Sequence, residues 1–198
     1  MYSKLCLLCL GIFLLYGCGR SMPTNYYLLE SSLGAIQVDR MPKKTLRVAQ
    51  VEIPSYLNRN NIVSRVKGES SLILAEFHLW AEPVSAGIRR VMEETLLQPA
   101  LDANINVLPS GTASGGDYIL LLDVQRFDGN FNAPAVLECR WTVLDREERP
   151  IQSGLYSSEA MVQGADYNIL VQTESRLLRE MGEKLGALIP NIINTHSR

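Results

Sequence analysis

The sequence is poor in the residues that most often carry chemistry. Its 198 residues contain two histidines, His78 and His196, and neither has a second histidine or a cysteine at ligand spacing. A metal centre needs three or four convergent ligands, so no metal is expected. There is no Walker-type phosphate loop and no G-x-G-x-x-G run, and with them goes any recognisable nucleotide site. The 19 Lys and Arg residues are outnumbered by 21 Asp and Glu. That balance lacks the basic excess of a nucleic-acid binder and the polybasic patch that would hold an anionic lipid surface. No apolar run reaches the roughly 20 residues needed to cross a membrane as a helix. Of four cysteines, Cys6 and Cys9 lie in an N-terminal apolar stretch and Cys18 ends it, so Cys139 is the lone thiol of the body. No disulfide is expected there. The neighbours of Cys139 alternate as in a strand, and it reads as a small buried hydrophobe.

Candidates for catalysis fail on spacing. Gly111-Thr-Ala-Ser-Gly-Gly116 resembles a nucleophile loop only superficially. A nucleophile elbow places glycines two before and two after its serine, on a strand-to-helix turn, whereas Ser114 is followed directly by Gly115 and leads into a strand. Asp117, Asp123 and Asp128 are scattered around that strand and read as solvated positions or turn formers. The chain is expected not to be an enzyme.

What is present is a globular composition, 46% hydrophobic and 20% charged, with enough length for one real core. It is preceded by a distinctive leader. Lys4 stands before a run of about a dozen mostly apolar residues, Leu5 to Tyr16, too short to span a bilayer and the right length for the apolar region of a signal peptide. The run ends in Leu15-Tyr16-Gly17-Cys18, which resembles the bacterial lipobox. That resemblance implies cleavage before Cys18, a diacylglyceryl thioether on its sulfur and an acyl group on its new amino terminus, with no other cofactor. Each buried methylene contributes about 0.8 kcal/mol, so several chains form a lasting membrane anchor. Gly19 stands where Asp commonly retains such proteins at the inner membrane of Gram-negative bacteria, so the expected address is the periplasmic face of the outer membrane. The organisation read from these features is a signal peptide over 1–17, a lipidated tether over 18–25 and a single domain over 26–198.

Within that domain the hydrophobic period changes repeatedly. Short strands are predicted at Tyr26–Leu29, Leu46–Ile53, Ile62–Val66, Ser71–Glu76 and Asn106–Leu108. Val84, Ile88, Val91, Met92 and Leu96 recur at helical spacing over 83–98, with Pro83 suited to a first turn and Pro99 near the end. Tyr118–Leu122 is a continuous apolar run, expected of a strand covered on both faces. Leu137, Cys139, Trp141 and Val143 alternate with Glu138, Arg140 and Thr142, and Ile151–Ala160 pairs back as a hairpin. Leu170, Leu177, Leu178, Met181, Leu185, Leu188, Ile189 and Ile192 form one stripe of a long helix over 167–192, with His196 in a loose terminus. The expected fold is α+β, a mostly antiparallel sheet with two helices packed on one face.

Large apolar side chains also cluster near strand ends, in Ile53-Pro-Ser-Tyr-Leu57 and Phe77-His-Leu-Trp-Ala-Glu-Pro83. Tyr and Trp at such positions are either lids on the core or interface anchors. These segments carry a family likeness. The lipobox, Asn25-Tyr-Tyr-Leu-Leu29, Val48 to Leu57, His78-Leu-Trp-Ala-Glu-Pro83, Phe127-Asp-Gly129, Trp141 and the C-terminal helix occur in the order found in ABC-type transport auxiliary lipoproteins, the family of the paraquat-inducible protein C lipoprotein (PqiC). The resemblance covers essentially the whole mature chain. It implies a non-enzymatic subunit of a lipid-trafficking apparatus serving membrane integrity. In that arrangement the lipoprotein docks the far end of a hydrophobic conduit made by an MCE-domain protein of the PqiB type, which works with an inner-membrane partner. Tyr56, Leu57, Phe77 and Trp80 are the candidates for the partner or self-assembly surface, and a closed homo-oligomer would suit a ring-shaped tube end. Alternatives are a module that itself carries a lipid between helix and sheet, or an envelope lipoprotein with other partners.

Overall fold

The computed structural model describes residues 22–31, 42–66, 68–112 and 115–196. The expected signal peptide, the expected lipidation site Cys18, residues 32–41 and Ser114 lie outside them. The strands are β1 (Asn25–Tyr27), β2 (Lys44–Val48), β3 (Asn61–Arg65), β4 (Leu72–Trp80), β5 (Ile105–Leu108), β6 (Tyr118–Asp128), β7 (Pro134–Leu144) and β8 (Pro150–Met161). Helix α1 (Val84–Asp102) lies between β4 and β5, and α2 (Tyr167–His196) closes the chain.

The α+β class is as expected, but the strands divide into two mixed sheets, ordered β1-β4-β3 and β5-β2-β6-β7-β8. Only β6-β7-β8 and the β3–β4 pair are antiparallel. β1 runs parallel to β4, and β2 runs parallel to both β5 and β6. A parallel pair needs a long crossover, usually through a helix. α1 lies on the path from β2 to β5. Periodicity identifies strands but not their partners, so these parallel pairs were not visible in it.

The core lies between the larger sheet and the helices. Leu137, Cys139, Trp141 and Val143 face it from β7, joined by Leu120, Leu122 and Val124 from β6, all buried. Met92 and Leu96 meet them from α1, and Leu177, Leu178, Met181 and Leu185 from α2. The helices cover one face of this sheet only. Consequently the β6 run is not enclosed on both sides: Leu121 points away from the core and is 39% exposed.

Both helices outrun their predicted ends. α1 passes through Pro99, and α2 passes through Pro190 and carries on to His196. A proline removes one backbone donor and crowds the preceding turn, but packing can offset that. An added Cβ at Gly186 would lie 2.9 Å from Pro99 Cγ, so the bare glycine is what lets the proline ring approach α2. His196, expected to be loose, is the last helical residue and meets the Tyr118 ring edge-on.

Candidate functional site

The two sheets join where β3 meets the end of β6. Ser64 bridges Gly129, and the Arg65 amide donates to the Gly129 carbonyl at 3.0 Å. A register shift between Val124 and Arg126 bends β6 just before this point. Beyond the shift Asp128 is carried into the junction and is fully buried. It is thus not the solvated turn residue that its Asp-Gly-Asn context predicts.

Asp128 is held from three directions. The Arg65 guanidinium donates to both carboxylate oxygens, at 3.0 and 2.9 Å. Arg126 Nε donates at 3.1 Å, and the Tyr56 hydroxyl at 2.8 Å. Burial by itself pushes the Asp128 carboxyl up, yet the hydrogen bonds from Arg65, Tyr56 and Arg126 outweigh it and hold the group below its ordinary value. Tyr56 is shifted the other way, up to about 12, by burial and by the neighbouring Asp128 charge. It therefore stays a neutral donor. Arg65 also lies over the Tyr56 ring, 5.6 Å from its centroid. The result is a rigid clasp between the Ile53–Leu57 segment, β3 and β6.

A fourth ionisable group lies nearby. Glu174 of α2 is completely buried, and its Oε2 has no hydrogen-bond partner among the described residues. Burial, reinforced by the Asp128 charge, raises its carboxyl well above the ordinary value. Two turns earlier on α2, the Tyr167 ring stacks on His78 at 4.0 Å, and the Tyr27 hydroxyl lies 2.7 Å from His78 Nδ1.

The four residues singled out in the sequence occupy different environments. Leu57 and Trp80 are core residues. The Trp80 amide donates to the Asn60 carbonyl at 2.6 Å, which ties the 54–60 turn to the end of β4. These two side chains therefore cannot form a surface themselves. Tyr56 is half-buried and committed to Asp128. Phe77 is half-buried too, in the stretch of β4 where its register against β3 shifts.

Asp128, saturated by four hydrogen bonds, is unavailable as a base. The Cys139 thiol is buried and pushed up to about 12, chiefly by burial and then by the Asp123 charge. Among the described residues no group of three His, Cys, Asp or Glu side chains could hold a metal, and no helix is long and apolar enough to cross a membrane. Among the described residues, side chains of the two helices and the larger sheet pack into one buried cluster. Two grooves lie at the periphery. One groove of about 530 Å3 runs between β1 and α2, and another of about 590 Å3 lies beside the ends of α2 and β8. The Asp128 clasp was not foreseeable from spacing, because Arg65 and Asp128 are 63 residues apart and nothing local marks either.

Comparison with known proteins follows this geometry. The model of the family described as ABC-type transport auxiliary lipoprotein component matches residues 26–186. No curated protein matches the sequence. Two solved structures share the fold over almost their whole length. A crystal structure of an uncharacterized protein is 20% identical with a TM-score of 0.70, covering 85% of this chain and 99% of its own. One from Xanthomonas campestris is 16% identical with a TM-score of 0.72, covering 88% and 99%. At these identities the likeness speaks for the fold alone.

Proposed function

The chain belongs to the ABC-type transport auxiliary lipoprotein component family, and from that premise we propose that it is a non-enzymatic, lipid-anchored docking subunit of an envelope lipid transporter. Cys18 carries the diacylglyceryl and acyl groups. They hold the domain on the periplasmic face of the outer membrane, and its partner is an MCE-domain protein that brings a hydrophobic conduit from the inner membrane. The family match across 161 consecutive positions, 26 to 186, is the observation that carries this reading.

The geometry is consistent with docking in preference to carrying. A lipid carrier needs an apolar cavity, whereas among the described residues Met92, Leu96, Leu122, Cys139, Leu178 and Met181 pack together in one buried cluster. A docking subunit needs stiff surface loops. The 54–60 turn has that quality, fastened inside by Leu57 and Trp80 and laterally by the bond from Tyr56 to Asp128. On this reading Phe77 and the exposed part of Tyr56 contribute to the partner surface. The test is a detergent pull-down from cross-linked cells with the full-length, C-terminally tagged, lipidated protein, read by mass spectrometry. Recovery of an MCE-domain protein, reduced by Phe77→Ala in a variant that melts like the parent, is expected. Recovery of other envelope proteins with no MCE partner overturns the transport role.

A further inference from the structure

The outward side of β1 has an unusual composition for an exposed strand at a sheet edge. Over 26–30 the chain alternates in and out. Tyr27 and Leu29 point inward, Tyr27 to His78 and Leu29 into the core. Tyr26 and Leu28 point outward and are 65% and 48% exposed, and Met22 before them is 65% exposed. Outward positions of a half-buried strand are normally polar. Here Met22, Tyr26 and Leu28 place three apolar side chains among the outward positions within seven residues, alongside the polar Thr24 and Glu30.

These side chains are not on a loose arm. The Tyr27 carbonyl accepts from the Ala81 amide at 2.9 Å, the Leu29 carbonyl from Arg90 at 2.8 Å, and the Glu30 carbonyl from Arg179 at 2.9 Å. The Glu30 amide donates to Ser175 Oγ at 3.2 Å. β1 is therefore fixed to β4, α1 and α2, and the direction in which Tyr26 and Leu28 project is fixed with it. Tyr26 and Leu28 themselves line the groove of about 530 Å3, whose charged lining residues are Glu30 and Arg179.

The length of chain before this surface identifies what covers it. Cys18 precedes Met22 by four residues, which reach at most about 14 Å when fully extended. Whatever else the domain does, its β1 end cannot leave the membrane to which Cys18 is anchored. Arg20, inside that short tether, adds a cation suited to lipid phosphates. Tyr is favoured at the headgroup level of bilayers because its ring is apolar and its hydroxyl polar.

We propose that the outward side of β1, with Tyr26 and Leu28 as its tips, rests in the headgroup layer of the anchoring membrane and sets the orientation of the domain. This rests on the lipidation of Cys18 proposed above. The anchor alone gives attachment with free tumbling. The β1 contact converts attachment into a defined pose, so the surface offered to a partner is presented in one direction.

The experiment uses the full-length lipidated protein in vesicles of phosphatidylethanolamine and phosphatidylglycerol containing brominated phosphatidylcholine. Tyr26→Trp and Leu28→Trp are compared with Leu155→Trp, at a 74% exposed position on β8 at the far edge of the other sheet. Trp80 and Trp141 are buried and give the common background. The expected result is a blue shift and loss of most of the added emission at 26 and 28, with none at 155. If the protein floats with vesicles while Trp at 26 and 28 behaves like Trp at 155, the β1 contact is overturned and the anchor stands. If mass spectrometry finds no lipid on Cys18 and the protein does not float, the anchor and this inference fall together.

Discussion

Asp128 is the residue on which the junction of the two sheets depends. Its carboxylate is buried, and it accepts from two guanidinium groups that remain partly exposed, 27% for Arg65 and 32% for Arg126. Removing its charge leaves both cations facing a neutral amide. Asp128→Asn is expected to destabilise the fold by about 3 kcal/mol, the lower end for a broken buried pair, or roughly 6–12 °C in melting temperature. A melting temperature equal to the parent's would show that the clasp contributes nothing. Glu174 gives a second prediction with the opposite pH sign. The Asp128 carboxyl is lowered in the fold, so its stabilisation is complete above the ordinary carboxylate range and lost as pH falls below it. Glu174 is raised, so the folded state holds a proton that the unfolded state has released, and stability declines as pH rises. Glu174→Gln removes that decline. Its melting temperature relative to wild type is expected to be level below the ordinary carboxyl value of 4.5 and to climb above it. A flat difference between about pH 5 and 8 would mean that Glu174 is ionised in the fold.

Among the elements, the helix pair shows most clearly how small residues set geometry. Gly182 faces Thr95 and Gly186 faces Pro99, four residues apart on each helix and so on matching faces. An added Cβ at Gly182 would meet the Thr95 Cβ at 2.7 Å. Gly182→Ala improves helix propensity by about 1 kcal/mol, but overpacking costs about 1–3 kcal/mol. Net destabilisation, seen as an earlier urea midpoint, is expected because both partners are helix-bound and cannot withdraw. A midpoint at or above the parent's would show that the helices can separate freely. The same logic places Gly154 on β8 opposite Trp141, whose ring would lie 2.6 Å from an added Cβ. The Trp occupies the side-chain space that its cross-strand partner leaves empty.

For the whole molecule the decisive variable is attachment. Removing the thiol with Cys18→Ser prevents thioether formation and is expected to move the protein from the membrane fraction to the soluble one or to leave it uncleaved. Membrane recovery of a cleaved variant would refute the anchor. Folding should not change, because among the described residues the buried core begins at Leu29. Among the described residues, Leu121 and Leu155 are exposed on the face of the larger sheet away from the helices.

Sequence by itself determined the elements whose hydrophobic period is local: the β7 and β8 hairpin, the amphipathic stretches behind both helices, the burial of Cys139, and the α+β class. It also carried the leader and the ordered motifs through which the family was recognised. Only tertiary structure decided the pairing of β2 with β5 and β6, the division into two sheets, and the passage of α1 through Pro99. Each of these depends on contacts between residues distant in the chain, which leave no local period. The same holds for the site. Leu57 and Trp80 could be read as large and apolar at strand ends, but whether they faced core or solvent depended on where the 54–60 turn closed against β4. Asp128 looked like a turn residue because a turn does follow it. What buried it was Arg65 arriving from β3, a partner that no spacing rule could supply.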